Sequence, residues 1–335
     1  MVTSPSAAPL SACRGPAVWR GPRLAARAAE RHRPSRAQLA GLDTAVRRLR
    51  SPGVPLLRIT ADRFPLPSWS GELARVVREL ERGPGFMVLR GIPVGRYRPT
   101  EREHLFWGLC LRLGTPVSQD ATGHMLGRMT GAGPTGGDTP QALRTVESDT
   151  LAVLALRPAR ASLASAGAVH NEVLARRPDL ATRLYRPHRV DRDRRLPPLV
   201  TPLARRDGPH FSLRYDRDAI EAAHARPGAP PLTRRDRALF DLVDPVAADP
   251  AFRLDLDLAA GDLLLVDNHT VLHSVEAGTG PDVGALGLWL AARPSPGGRP
   301  ASWSRGGVPP HDVITPRPRP TAPRHLPHPH DKEPV

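Results

Sequence analysis

The stretch from Gly261 to Ser274 constrains this chain more than any other. It reads Gly-Asp-Leu-Leu-Leu-Val-Asp-Asn-His-Thr-Val-Leu-His-Ser. A Gly-Asp turn launches four apolar residues, Leu263 to Val266, which read as a buried strand. Polarity then flips to Asp267, Asn268 and His269, with His273 four residues further on. A strand ending in imidazoles is a common way to aim a metal ligand into the mouth of a β-barrel.

The rest of the composition narrows the function classes. The chain has 335 residues, enough for one large domain or two small ones with a sizeable core. Its formal charge of +15 would ordinarily point to nucleic acid or an anionic surface. Lys332 is the only lysine, however, and Ala, Pro and Gly are abundant, a pattern of GC-rich coding. The arginines are scattered among Asp and Glu, and an aromatic content of 4% hardly supplies base-stacking platforms. A nucleic-acid partner is therefore not expected; the partner is a small molecule or another protein. The two cysteines, Cys13 and Cys110, cannot build a disulfide framework or a four-cysteine zinc site. Cys110 lies in an apolar helical pattern and reads as core. No run of eighteen apolar residues exists, which excludes a membrane-spanning helix. The Arg-rich start lacks the apolar region of a secretory signal, so a cytoplasmic protein is expected.

Along the chain, residues 1–40 are Arg/Ala/Pro-rich without periodicity and are expected to be a disordered leader. Residues 41–295 carry the domain. Ser70 is placed as the cap of a helix ending at Gly83, and Thr100 with Glu103 as a capping box before a second helix ending at Gly114. Residues 131–140 read as a Gly/Pro/Thr loop over a pocket. A helical stretch runs from Ser165 to Tyr185 with a restart at Pro178, and another follows Thr233. Strands are expected at 86–89, 150–156, 211–215, 252–258, 263–266 and 285–290. Residues 296–335 form a Pro/Arg/His-rich tail with no core pattern, expected to be disordered. Helices first, then strands with helical insertions, suit an α+β domain built around a jelly roll.

Several words, in order between residues 40 and 293, resemble the taurine dioxygenase and clavaminate synthase-like (TauD/TfdA-like) family. They are Gly85-Phe-Met-Val-Leu-Arg-Gly-Ile-Pro93, Phe106-Trp-Gly, Leu113-Gly-Thr-Pro-Val-Ser-Gln119, Leu154-Ala-Leu-Arg-Pro158, Ala168-Val-His-Asn-Glu-Val-Leu174, Arg177-Pro-Asp-Leu180, Leu213-Arg-Tyr-Asp-Arg217 and Asp267-Asn-His-Thr-Val-Leu-His273. The resemblance implies a double-stranded β-helix holding Fe(II) and 2-oxoglutarate. Such a centre needs a His-x-Asp or His-x-Glu pair and a distal His on one face of the metal. It also needs an arginine for the far carboxylate of 2-oxoglutarate.

The resemblance assigns the distal ligand to His273. It puts Arg144 and Val146 where the His and the carboxylate belong, and Gly287 where the arginine belongs. Valine cannot ligate iron, and a guanidinium stays protonated and repels it. Glu147, Asp149 and His124 are the candidate replacement ligands; Asp149 also matches an acid that supports ligands from behind. Tyr215 and Arg217 resemble pocket positions, with a structural ion pair as the other reading. His269 and His170 read as packing or bridging residues. Two functions follow. One is a pseudo-oxygenase that keeps the barrel and a binding pocket. The other is an active hydroxylase of a small, amino-acid-like molecule with a rebuilt iron site.

Overall fold

The computed structural model describes residues 10–28, 32–49, 54–130, 142–192, 196–277 and 282–293. Its strands are β1 (Phe86–Leu89), β2 (Gly114–Val117), β3 (Leu126–Thr130), β4 (Thr150–Ala155), β5 (Ala159–Ser165), β6 (Pro187–Val190), β7 (Leu199–Pro202), β8 (Ala204–Asp207), β9 (His210–Leu213), β10 (Arg253–Leu258), β11 (Leu263–Asp267), β12 (Val271–Ala277) and β13 (Val283–Ala292). The helices are α1 (Gly21–Ala28), α2 (Arg36–Arg48), α3 (Ser70–Arg82), α4 (Pro99–Cys110), α5 (Ala166–Arg176), α6 (Pro178–Ala181), α7 (Arg217–His224) and α8 (Arg234–Ala248).

Among the described residues a six-stranded antiparallel sheet runs β1-β11-β4-β13-β2, with β3 also on β13, and faces a three-stranded sheet β10-β5-β12. This is the double-stranded β-helix, an α+β fold with helices on both outer faces. Side-chain alternation sorts the layers. Leu151, Val153, Leu264, Val266 and Ala285 meet Ala161, Leu163, Leu254 and Leu256 between the sheets. Their neighbours Ala152, Leu154, Leu263, Leu265, Leu286 and Leu288 face α2, α3 and α4 instead. Because both faces of these strands are covered, they read in sequence as continuous apolar runs rather than as alternation. A third cluster packs α5, α6, α7 and α8 around Val169, Ile220, Leu239 and Phe240.

Gly261 sets the entry to β11. It sits at φ +90°, and a Cβ there would lie 1.9 Å from the Ile92 carbonyl oxygen. Only glycine meets both demands.

Two local expectations are corrected. Ser70 begins its helix without capping it by side chain; the cap position is Trp69. The second helix starts at Pro99, and Glu101 reaches back to the Arg98 N–H at 3.0 Å. Pro99 at the first turn, which lacks an N–H to satisfy, moves the start two residues earlier.

The larger correction concerns the leader. From Leu10 onward, the described residues are docked against the domain. Asn171 clasps Cys13 with both ends of its amide, its oxygen accepting from the Cys13 N–H at 2.6 Å and its nitrogen donating to the Cys13 carbonyl at 2.9 Å. Trp19 enters the cluster between the sheets and donates its indole N–H to Pro84 at 2.8 Å. The Gly21 N–H then donates to Phe252 at 3.1 Å. The helix α2 opens at Ser35 with a complete capping box. A segment poor in periodicity can still be held by a few specific anchors, which composition does not register. Residues 1–9, the loop 131–140 and the tail 296–335 lie outside the described residues.

Candidate functional site

The turn between β11 and β12 carries the chain from one sheet to the other, and it is built from the polar residues that follow the apolar run. Asp267 accepts from the His269 N–H at 3.2 Å and from the Thr270 hydroxyl at 2.6 Å. Asn268 is fully buried and stitches the turn to residues 146–148. Its side-chain nitrogen donates to the carbonyls of Val146 and, at 2.7 Å, Ser148; its oxygen accepts from the Val146 N–H at 3.0 Å. Those contacts fix which end of the amide is which.

His273 is not at a strand end, as the run alone implies. It lies inside β12, between Val271 and Val275 on the face turned toward the other sheet, and is buried. Its Nε2 lies 3.1 Å from the Asn268 oxygen, which can only accept, so Nε2 carries the hydrogen. Across from it stands Arg144. The two residues exchange both main-chain hydrogen bonds, at 3.0 and 2.8 Å, so their side chains leave the same face of the pair. Val146, two residues on, packs against the same inter-sheet cluster. The fold therefore gathers His273, Arg144 and Val146.

The candidate replacement ligands go elsewhere. Asp149 is buried against His269, with 2.8 Å between Oδ1 and Nε2, and its other oxygen accepts from the Ala292 N–H at 2.8 Å. The other His269 ring nitrogen meets the Ser212 hydroxyl at 2.7 Å. Asp149 thus ties the β11–β12 turn to β13, a structural role. Glu147 faces away from Val146 and pairs with Arg214 at 3.4 Å and Arg192 at 3.9 Å. Burial pushes the Arg214 guanidinium down, and the Glu147 carboxylate pulls it back up. His124 lies on an exposed turn, 2.7 Å from Asp120. Two hydrogen bonds each from Thr122 and His124 groups to Asp120 are absent from the sequence words, yet they explain why this histidine points along its own turn.

Tyr215 and Arg217 are not brought to His273. The Tyr215 hydroxyl donates to Asp244 at 2.5 Å, and burial pushes its ionisation well up. Arg217 pairs with Glu221, Asp241 and Asp244 at 2.7, 2.9 and 2.9 Å, the structural ion pair of the two readings. His170 is buried in α5, its Nε2 2.8 Å from the Tyr185 hydroxyl and its ring against Phe211. Gly287 faces the inter-sheet space on β13, between Val153 of β4 and Gly127 of β3. A Cβ there would stand 3.6 Å from the Met129 methyl, so an apolar side chain covers the place of the arginine. Arg293 donates to the Leu111 carbonyl at 2.7 Å and cannot serve as its substitute.

The donor set does not fit a facial iron centre. It offers one imidazole whose Nε2 is a hydrogen-bond donor, one guanidinium and one isopropyl group. Among the described residues no three His, Cys, Asp or Glu side chains converge on a point that could hold a metal ion.

The ancestry is nevertheless plain. Residues 50–286 match the model of the taurine catabolism dioxygenase TauD, TfdA family. The chain belongs to this family. Among curated relatives of the TauD/TfdA protein is FR-33289 synthase of Streptomyces rubellomurinus (strain ATCC 31215), 26% identical over 249 residues, covering 68% of this chain and 73% of that one. Among solved structures, an asparagine oxygenase with Fe(II), 3-hydroxyasparagine and succinate superposes with a TM-score of 0.59 at 16% identity. That match covers 77% of this chain and 92% of the other. The non-heme iron oxygenase OrfP, solved with Fe, succinate and (3S)-hydroxy-L-Arg, gives 0.58 at 17% identity, over 79% and 95% of the two chains. The structural likenesses bear on the fold. No described helix is long and apolar enough to cross a membrane.

The sequence words point to His273, Arg144 and Val146, which the fold brings to one face. The buried Asn268 amide and the Glu147–Arg214 pair were missed as functional elements. The Asp-Asn-His turn was the available signal for the first. The second joins residues 67 positions apart and left none.

Proposed function

We propose that this protein is a pseudo-oxygenase: a TauD/TfdA barrel that binds a small molecule without Fe(II)/2-oxoglutarate chemistry. The observation that carries this reading is the company His273 keeps. Its Nε2 donates to Asn268, and the two neighbouring ligand positions hold Arg144 and Val146. A guanidinium in that place repels Fe(II), and a valine offers it nothing. Gly287, covered by Met129, supports the same reading on the cosubstrate side.

The alternative hydroxylase would need Glu147, Asp149 or His124 as ligands. Each has a partner that would have to be given up: Arg214, His269 and Asp120 respectively. Likeness in fold to an asparagine oxygenase and to OrfP supports an amino-acid-like substrate for that alternative, but a fold alone does not confer chemistry.

The test is anaerobic mixing of the tag-free protein with Fe(II) and 2-oxoglutarate, read as the visible charge-transfer band of the chelate. The expected result is no band and no 2-oxoglutarate-dependent oxygen uptake by a folded protein. A band that disappears in His273→Ala would establish a rebuilt centre and overturn the proposal.

A further inference from the structure

Building on the pseudo-oxygenase reading, we propose that Arg144 makes the lost iron position a metal-independent site for an organic monocarboxylate with an apolar body. The guanidinium leaves the same face as the His273 side chain, because the two residues are a hydrogen-bonded pair across their strands. It is not sealed in. Its side chain keeps 38% exposure, and its ion partner, Asp216, lies at 3.5 Å. That carboxylate is also engaged at the start of α7, where Oδ1 accepts from the Ala219 N–H at 3.1 Å. A guanidinium offers five donors in a planar fork, so one long contact leaves room for a carboxylate to be taken side-on.

The surroundings select the rest of the ligand. Val146 and Val275, each two residues along the same face from Arg144 and His273, are partly buried against the inter-sheet cluster and give apolar flanks beside the charge. On the other face of the Val146 segment, Glu147 lies within Coulomb range of Arg192 and Arg214, and Arg214 in turn feels Arg205. Arg192, Arg205 and Arg214 outnumber Glu147 and Asp149 there, so the local field favours an anion. One fork on the apolar face fits one carboxylate. A phosphate would want further donors that Val146 and Val275 do not supply.

Calorimetry on the full chain in EDTA-containing buffer, with phenylacetate and hexanoate as probes and hexylamine as control, tests this. Both acids are expected to bind and the amine is not. Arg144→Gln is expected to weaken the acids by about tenfold or more, the worth of a charge-assisted bidentate contact. Asp216→Asn keeps an oxygen for the Ala219 N–H while removing the competing charge, so it is expected to tighten them. Thermal unfolding verifies that each variant is folded. If Arg144→Gln does not fold, the Asp216→Asn result decides alone. No binding of either acid to wild type, equal affinity in Arg144→Gln, or no gain in Asp216→Asn overturns the inference. A His273-dependent Fe(II)/2-oxoglutarate band overturns the pseudo-oxygenase reading and this site with it. Absence of both the band and acid binding removes the carboxylate site alone.

Discussion

His170 shows how a single buried imidazole can set the pH response of this protein. Burial, opposed by the Asn171 hydrogen bond, lowers its pKa from 6.5 to about 4. The folded state therefore holds it neutral, while the unfolded chain takes up a proton as pH falls through 6.5. Its contribution is complete above that value and is lost progressively down to about pH 4. Between pH 7 and 5, above the carboxylate range, about 2 kcal/mol should go. Denaturant midpoints at the two pH values measure this, and His170→Gln should show a flatter dependence than wild type. At this scale the sequence was a partial guide. His273, Arg144, Val146 and Gly287 could be singled out because the family words fix their positions. The partners that decide their chemistry could not, since Asn268 meets Val146 across 122 residues and Asp149 meets His269 across 120. Hydrogen bonds over such separations follow from sheet register, which no local pattern encodes.

The element that departs most from expectation is the docked N-terminal segment. Trp19 is 7% exposed, lies edge-on to Phe86 with ring centroids 5.6 Å apart, and fills the inter-sheet cluster. Trp19→Ala should cost about 3–5 kcal/mol, the range for deleting a buried large aromatic. Denaturant unfolding of the full-length variant measures it; a loss under 1 kcal/mol would mean that the segment only rests on the barrel. Helix α1 reinforces the anchor, since a Cβ on Gly21 would collide with the Arg253 carbonyl oxygen at 1.8 Å. The other elements were largely legible. The strands β1, β4, β10, β11 and β13 and the helices α5 and α8 fall where apolar runs and caps put them. In contrast, β5 is made of alanine and serine with one leucine and one arginine, and β12 starts inside the histidine motif. Both belong to the smaller sheet, where close packing on the facing layer permits small side chains without a strong apolar signature.

Across the whole molecule, the layers are welded rather than merely stacked. Strand β12 continues from β11 through the Asp267–Thr270 turn, and Asp149 links that turn to β13. Unfolding should therefore be a single cooperative event. Trp69 and Trp107 report the helical layer, Trp19 and Trp289 the inter-sheet layer. Their fluorescence and the far-UV circular dichroism should trace superimposable denaturant curves, with separated midpoints showing that the layers melt independently. The position of β13 carries a consequence of another kind. It is the last described strand in the chain, yet it lies inside the large sheet, with β4 on one side and β2 and β3 on the other. A ribosome must therefore deliver nearly the whole domain before these three earlier strands find their common neighbour. Until then the nascent chain carries open edges that invite wrong pairing, and its yield in a cell is set by what shields them during that wait.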